Sequence, residues 1–105
     1  MAQFDVYENS NKNSRNIYPY LIDIQNPILE SITTRIVIPL ARSEALSHFV
    51  FSELTPELEF LGENLLLLTP QIAAVPARIL NNPVGSTEHL RETILGALDF
   101  AITAV

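Results

Sequence analysis

The strongest structural signal in the sequence is LIDIQNPILESITTRIVIPLA, residues 21–41. Its first part belongs to YPYLIDIQN at 18–26, which predicts a strand. Its second part, TRIVIPLA at 34–41, is the most β-like run of the chain. Because apolar residues follow one another at 36–38, we expect a central strand covered on both faces, and we expect Pro39 to end its pairing. The sequence therefore predicts two strands joined by a short connection.

A shorter strand and a polar loop precede this run. QFDVY at 3–7 alternates apolar and polar residues, which predicts a half-buried strand with Phe4 and Val6 on its inner face. ENSNKNSRN at 8–16 is rich in Asn and Ser, so we expect an exposed, mobile loop. Pro19 has no amide donor and is expected at the start or on an edge of the next strand.

Further β segments are predicted on the C-terminal side. ELEFLGENLLLLTP at 57–70 indicates a hairpin that turns at Gly62-Glu63-Asn64. A further extended piece is expected near Ala77–Leu80, before Asn and Pro residues break it. The segment 42–54 is ambiguous between a short helix and irregular structure.

One long helix is predicted at the C-terminal end. Ser86 or Thr87 is expected to cap it, and Glu88 complements the helix dipole there. An apolar face continues to the last residue, which indicates a core, a partner chain or a target; its members are Leu90, Ile94, Leu98, Ala101, Ile102 and Val105. With about five short strands, the predicted fold class is β-rich α+β, a small twisted antiparallel sheet with one long C-terminal helix, in a single domain over residues 1–105.

Composition narrows the functional classes. The net charge of −6 opposes direct binding to nucleic-acid phosphates and suits a protein partner. The chain has no Cys, which excludes disulfides and thiolate metal sites and fits a cytoplasmic protein. We expect no signal peptide and no membrane span, because MAQFDVYENS has no basic or apolar region and the apolar runs are short. With 48% hydrophobic and only 17% charged residues, we expect some apolar surface to be covered in a dimer.

No catalytic or cofactor-binding constellation is visible. His48 and His89 lie far apart in the sequence, and neither has a second histidine three or four residues away, so we expect neither a metal site nor a cofactor. Glu57 and Glu59 share one strand face, which is typical of a solvated surface. Arg35 heads the most buried strand, where it either clamps an anion or forms a structural ion pair with an acid such as Asp23.

Several stretches in order resemble the CcdB family of bacterial toxins. The opening QFDVY resembles the start of that family. Residues 21–41 resemble its most recognisable block, an Asp-x-Gln, a short Ile/Leu linker, and an Arg before a Val-Ile-Pro-Leu strand. LLTPQIAAVPARIL at 67–80 resembles a further block, and His89 and the length of the terminal helix also fit. The resemblance runs from Gln3 to the last residue, nearly without gaps after Asp23.

The resemblance implies a function without catalysis. Family members are toxins of toxin–antitoxin pairs that bind the breakage–reunion subunit of DNA gyrase, GyrA, and trap the enzyme with its DNA cleaved. The implied fold is an SH3-barrel-like sheet with a C-terminal helix, and the implied assembly is a homodimer. The same fold serves the MazF-type ribonucleases, so fold alone does not fix the function.

The resemblance also implies positions for both partners. Gyrase is expected at the helix end and the linker: Thr103, Ala104, Val105, Ile102, Asp99, Ile28 and Leu29. A CcdA-like antitoxin, folding on binding, is expected around the first loop and the segment near 42–50: Asn11, Lys12, Ser14, Arg15, Ser43 and Leu46.

One departure keeps a second interpretation open. A well-known family form ends in Trp-Gly-Ile, whereas this chain has Thr-Ala-Val at 103–105 and no Trp. An interface aromatic is often a hot spot, so a non-toxic homologue that only binds antitoxin is the alternative. A MazF-like ribonuclease is a third hypothesis, for which Arg35 and Thr34 are the candidate residues.

Overall fold

The computed structural model describes residues 2–29, 31–42 and 53–103. Within these residues the chain forms a curled, half-barrel antiparallel sheet and one C-terminal helix, which confirms the predicted fold class. None of the helices in this part is long and apolar enough to cross a membrane. The elements are β1 (Asp5–Glu8), β2 (Tyr20–Asp23), β3 (Thr34–Arg42), β4 (Glu57–Phe60), β5 (Glu63–Leu67), β6 (Ala73–Pro76), β7 (Gly85–Ser86) and α1 (Arg91–Ile102).

The strand β3 is the centre of the sheet, as predicted. The strand order is β4-β5-β3-β2-β1-β7, and β6 also pairs with β3. One edge of β3 is therefore shared: β6 pairs with Thr34–Val37 and β5 pairs with Leu40–Arg42. Ile36 is partly exposed while Val37 and Ile38 are buried, so coverage of the two faces is incomplete at the start of the strand.

The expectation that Pro39 ends the pairing is wrong. β3 continues through Pro39 to Arg42, and Pro39 lies opposite Leu21 of β2. On the other edge, Pro39 falls between the stretches paired with β6 and β5, where no ladder bond requires its missing amide. Its carbonyl still accepts a bond from the Leu68 amide at 2.9 Å. A proline is tolerated here because the strand changes partner at this position.

Two predicted boundaries shift. The β4–β5 hairpin turns at Leu61 and Gly62, both with positive φ, rather than at residues 62–64. The extended piece after β5 is Ala73–Pro76, whereas Ala77–Ile79 is a 3-10 turn. Most of the ambiguous segment, residues 43–52, lies outside the described residues.

The main core lies between the sheet and α1. Val6, Ile22 and Ile38 contribute from the strands, Phe4 contributes from just before β1, and Ile94 contributes from the helix. The prediction of a half-buried β1 is confirmed for Phe4 and Val6, which lie in this core, whereas Tyr7 on the outer face is buried against expectation. On the outer face a second cluster buries a tyrosine of β1 against the 75–80 segment; its members are Tyr7, Leu21, Val37 and Leu80.

The start of the helix differs from the predicted cap. A 3-10 turn, Glu88–Leu90, precedes α1. The Ser86 Oγ accepts a bond from the Glu88 amide at 3.1 Å. The Thr87 hydroxyl instead donates to the Phe4 carbonyl at 2.9 Å, so this residue ties the helix start to β1. The helix is therefore anchored to the sheet edge at its first residues.

Only the first part of the predicted apolar face packs on the sheet. Ile94 and Ala97 are buried, and Leu90 and Leu98 pack partly against them. The helix ends at Ile102, whose side chain is 72% exposed. The last turn of α1 is therefore apolar but does not contribute to the core of this chain.

Candidate functional site

A buried ion pair lies beneath the linker between β2 and β3. The Arg35 Nε donates to the Asp23 Oδ2 at 2.9 Å, and the Arg35 Nη2 lies 2.7 Å from the same oxygen. Both side chains are almost fully buried. Of the two readings of Arg35, the structural ion pair is therefore confirmed. Removal of either partner would leave an unpaired charge in the low-dielectric interior. The ion pair therefore couples β2 strongly to β3.

Tyr7 lies close enough to this ion pair for the charges of Asp23 and Arg35 to affect its pKa. Burial raises the pKa of the Tyr7 hydroxyl, and the negative charges of Asp5 and Asp23 raise it further, while Arg35 lowers it. Among the described residues the Tyr7 hydroxyl has no hydrogen-bond partner. The folded state consequently favours the neutral, protonated form of the Tyr7 side chain.

Gln25 connects the ion pair to the linker. Its amide donates to the Asp23 Oδ1 at 3.0 Å. Its buried side chain donates from Nε2 to the Leu29 carbonyl at 3.0 Å and accepts at Oε1 from the Ile36 amide at 3.1 Å. The Asp-x-Gln of the sequence is thus a structural unit that fixes the linker against β3.

The linker displays aliphatic side chains to solvent. Pro27–Leu29 forms a 3-10 turn, and the Asn26 Oδ1 accepts a bond from the Ile28 amide at 3.0 Å. Ile28 is 85% exposed and Leu29 is 41% exposed. Exposed aliphatic residues on a turn held by buried hydrogen bonds are typical of a surface that binds a partner. Ile28 and Leu29, which the family resemblance assigns to the gyrase surface, are thus accessible in this chain.

The end of α1 forms a second exposed apolar feature. The Thr103 hydroxyl donates to the Asp99 carbonyl at 2.9 Å and lies 2.7 Å from the Asp99 Oδ1, and the Thr103 amide donates to the same carbonyl. Ile102 projects beside this closed turn. Ala104 and Val105, which the sequence also assigns to the gyrase surface, lie outside the described residues.

The structure brings Asp99 and Thr103 together but does not join them to the linker turn. Within the described chain, no hydrogen bond or ion pair connects Ile28 or Leu29 with the helix end. Each of the two exposed sites is therefore held by its own hydrogen bonds.

Sequence reasoning missed Phe100. This aromatic residue is 44% exposed, and with Gly96 and Asp99 it borders a groove between α1 and the stretch that precedes β4. The sequence contains a signal for Phe100, because this residue is aromatic and does not belong to the apolar face that packs on the sheet. A large aromatic on the outer face of an amphipathic helix has no structural role in the core and is a candidate contact residue.

The first loop has an internal framework of side-chain bonds. The Asn9 Nδ2 donates to the Ser14 Oγ at 3.0 Å and to the Tyr18 carbonyl at 2.9 Å. The Asn9 Oδ1 accepts from the Asn11 amide, and the Asn11 Oδ1 accepts from the Asn13 amide. Two residues predicted to bind antitoxin, Asn11 and Ser14, therefore serve the structure of the loop.

The other predicted antitoxin residues divide into two groups. Lys12 and Arg15 are exposed on the same loop. Ser43 and Leu46 lie outside the described residues. The part of this surface that the structure describes thus carries two cationic side chains. The side-chain hydrogen bonds of Asn9 and Asn11 fix the shape of the loop.

Arg35 is not accessible for ribonuclease chemistry. Its neighbour Thr34 is exposed, whereas the Arg35 side chain is 1% exposed and committed to Asp23. Adjacent residues of a strand point to opposite faces, so the two side chains cannot form one reaction site.

A family model supports the resemblance found in the sequence blocks. The model described as "CcdB protein" matches residues 3–104, nearly the whole chain. The half-barrel sheet, the Asp23–Gln25–Arg35 unit and the C-terminal helix all lie within the matched residues. The chain therefore belongs to the CcdB family of toxin–antitoxin toxins.

Proposed function

We propose that this chain is a toxin that binds the GyrA subunit of DNA gyrase, traps the enzyme on cleaved DNA, and is neutralised by a CcdA-like antitoxin. The observation that carries the proposal is the exposure of aliphatic side chains at both expected contact sites, 85% for Ile28 and 72% for Ile102. Membership of the CcdB family supports the same reading. The action requires binding only, since no step depends on a catalytic residue of the chain.

The expected contribution of these side chains is large enough to govern affinity. Complete burial of an isoleucine side chain against a partner contributes about 1.5–3 kcal/mol. Loss of that amount weakens binding by roughly tenfold or more. The linker turn and the helix end would therefore act as paired apolar anchors, and Phe100 would supply the aromatic surface that Thr103 lacks.

The test is a gyrase cleavage assay with purified protein, gyrase, supercoiled plasmid and ATP, in which linear DNA is measured after detergent and protease. We expect linear DNA with the full chain and none after deletion of residues 103–105. Ile28→Ser and Ile102→Ser should each reduce cleavage by about tenfold. Leu61→Ser is the matched control, because Leu61 is 64% exposed at the distant β4–β5 turn.

The outcomes separate the candidate functions. If the full chain yields no linear DNA at high concentration yet binds its antitoxin, the chain is an antitoxin-binding homologue without toxicity. If Leu61→Ser reduces cleavage as strongly as Ile28→Ser, the linker turn is not a specific contact. No feature of the described residues favours a ribonuclease, since Arg35 is buried.

A homodimer is part of the same proposal. Ile36 of β3 lies opposite Ala74 of β6 at the sheet margin, and Ile72 precedes β6; both isoleucines are more than one-third exposed. A second copy would cover this apolar margin. Light scattering should give twice the chain mass, and Ile36→Glu with Ile72→Glu should lower it towards the monomer. A monomeric mass for the unaltered protein would contradict the dimer.

A further inference from the structure

The backbone of Phe4, just before β1, has an unusual conformation. Its φ is 73°, in the left-handed region that a bulky residue occupies only at a cost in free energy. Its side chain is fully buried in the main core. A glycine would adopt this φ without strain but could not fill the core. Strained positions persist where the surrounding contacts determine them, and they cluster at functional sites.

The left-handed conformation lets Phe4 bond to the elements on both sides of β1. The Phe4 amide donates to the carbonyl of Asp23, the last residue of β2, at 2.6 Å. The Phe4 carbonyl accepts bonds from the Thr87 amide at 2.8 Å and from the Thr87 hydroxyl at 2.9 Å. In an extended strand the amide and carbonyl of one residue point to the same neighbour, so an extended Phe4 could make only one of these connections.

Side chains reinforce both connections. The Gln3 Nε2 donates to the Ile24 carbonyl at 3.1 Å, on the side of β2. The Arg91 guanidinium lies 5.5 Å from the centre of the Phe4 ring, on the side of α1, in a cation–π contact. Thr87 is fully buried, so water competes weakly for its bonds to Phe4. We call Gln3, Phe4, Thr87 and Arg91 together the Phe4 junction.

One side of the Phe4 junction leads to the linker turn. Asp23, whose carbonyl accepts the Phe4 amide, also accepts the Gln25 amide at its Oδ1. Gln25 in turn donates from its side chain to the Leu29 carbonyl. Three successive hydrogen bonds therefore run from Phe4 to the turn that displays Ile28.

The other side of the junction leads to α1. The Leu90 amide donates to the Thr87 carbonyl at 2.8 Å, in the 3-10 turn that precedes the helix. The helix then runs for 12 residues to Ile102, a length of about 18 Å. Over this length, a change of about 5° in the direction of the helix moves its end by about 1.5 Å. The junction therefore helps to determine where Ile102 lies.

We propose that Phe4 and Thr87 are positioning residues that couple the linker turn to α1, so that one junction sets both exposed apolar sites. Neither side chain is accessible to a partner, since both are fully buried. A shift of Thr87 at the start of the helix reaches the linker through Phe4 and Asp23, and a shift of the linker reaches the helix through the same bonds. This inference rests on the proposed function only in taking Ile28 and Ile102 as partner contacts.

Hydrogen exchange of the full chain tests the coupling without a partner. Thr87→Val removes the hydroxyl bond to Phe4 and keeps the branched shape of the side chain. We expect the Phe4 and Gln25 amides to exchange about fivefold faster relative to the slowest core amides. Thr87→Ser retains the hydroxyl and should restore both rates to within about twofold. Ser86→Ala is the matched control, because the Ser86 hydroxyl bonds the Glu88 amide and not Phe4; it should change both rates by less than about twofold.

A double-mutant cycle measures the coupling directly. Within the described residues, no hydrogen bond joins Thr87 to Gln25. The unfolding constants from urea titrations should nevertheless be non-additive by about fivefold when Thr87→Val is combined with Gln25→Ala. The cycle that combines Ser86→Ala with Gln25→Ala should be additive to within about twofold.

Clear results would overturn the inference. They are faster exchange confined to the start of the helix, equal acceleration of all core amides, no rescue by Thr87→Ser, an additive cycle for Thr87→Val, or equal effects of Ser86→Ala. Equal acceleration would mean that Thr87 contributes only to global stability. If Thr87→Val does not fold, the same cycle with Arg91→Gln, a change at an exposed residue of the junction, decides instead. Non-additivity with Gln25→Ala then supports the coupling, and additivity rejects it.

Failure of this inference is distinguishable from failure of the proposed function. The exchange and unfolding experiments use no gyrase, and the cleavage assay on the unaltered protein does not depend on the coupling. Coupling without cleavage would retain the junction and reject the toxin, and cleavage without coupling would do the reverse. Where both hold, Thr87→Val should raise the protein concentration for half-maximal cleavage about threefold and leave the maximum unchanged, whereas Ser86→Ala should change neither. An equal rise for Ser86→Ala would contradict a positioning role of Thr87.

Discussion

The linker turn and the last turn of α1 expose similar aliphatic side chains, but they are held in opposite ways. Ile28 rests on a turn that the buried Gln25 side chain fastens to β3. Ile102 rests on a helix end that closes through the bonds from Thr103 to Asp99, which are exposed. One site is supported from the interior of the protein and the other at its surface.

The difference affects the free energy that each site must spend on changing its conformation when a partner binds. Water competes weakly for buried hydrogen bonds, so the linker turn keeps its shape before and after binding. Water competes fully for exposed bonds, so the helix end can adjust its last turn at little cost in free energy. A rigid linker turn together with an adaptable helix end would give a partner one fixed contact and one adjustable contact. This contrast can be tested by removing the hydrogen bonds that support each site in turn.

The largest effect is expected from Arg35→Ala. This change leaves the Asp23 carboxylate buried and unpaired, and should lower the free energy of unfolding by about 3–5 kcal/mol. Urea unfolding measures it. Arg78→Ala is the control, since Arg78 is exposed and should change stability by less than about 0.5 kcal/mol. A loss below about 1 kcal/mol for Arg35→Ala would show that the pair does not support the linker.

A smaller and more local effect is expected from Gln25→Ala. The Ile36 amide and the Leu29 carbonyl lose their partner, which should cost about 2 kcal/mol. Hydrogen exchange of the Ile36 amide should accelerate, and gyrase cleavage should fall because Ile28 is no longer held. The exposed Gln71 offers the matched change, Gln71→Ala, which should leave both unchanged. Unchanged exchange at Ile36 would mean that Gln25 does not fix the turn.

The sequence predicts the central strand, the hairpin and the helix, because each is encoded in a local apolar pattern. It does not predict the path through Pro39, since the change of partner from β6 to β5 is a tertiary arrangement. The displaced strand at Ala73–Pro76 has the same origin. Its pairing with the start of β3 outweighs a weak local preference.

Prediction of the site depended on a different kind of information. Residue chemistry alone left Arg35 between two roles, and burial beside Asp23 decides between them. The exposure of Ile28 agrees with the family resemblance, not with hydropathy, which favours burial of such a residue. The structural roles of Asn11 and Ser14 could not be foreseen, because they depend on the fold of the loop around Asn9.

A modest effect of opposite sign is expected from Tyr7→Phe, which removes a buried hydroxyl without a partner among the described residues. Stability near neutral pH should be unchanged or increase by up to about 1 kcal/mol. Because the pKa of Tyr7 is raised in the fold, its contribution is intact below about pH 10 and is lost as the pH rises through the folded pKa. Urea midpoints should therefore fall less steeply above about pH 10 in Tyr7→Phe. Equal alkaline slopes would contradict this.

The smallest effect on stability, and the sharpest test of the contrast, is expected from Thr103→Val. The change removes the exposed bonds to Asp99 and should alter the free energy of unfolding by less than about 0.5 kcal/mol. The Thr103 amide should exchange faster, because the side chain no longer closes the last turn. Thr93→Val makes the same change on an exposed position of α1 and is the control. If Thr103→Val reduces gyrase cleavage while Thr93→Val does not, the helix end binds in its closed form. If cleavage is retained, the end reshapes on binding, and the linker turn alone supplies the fixed geometry.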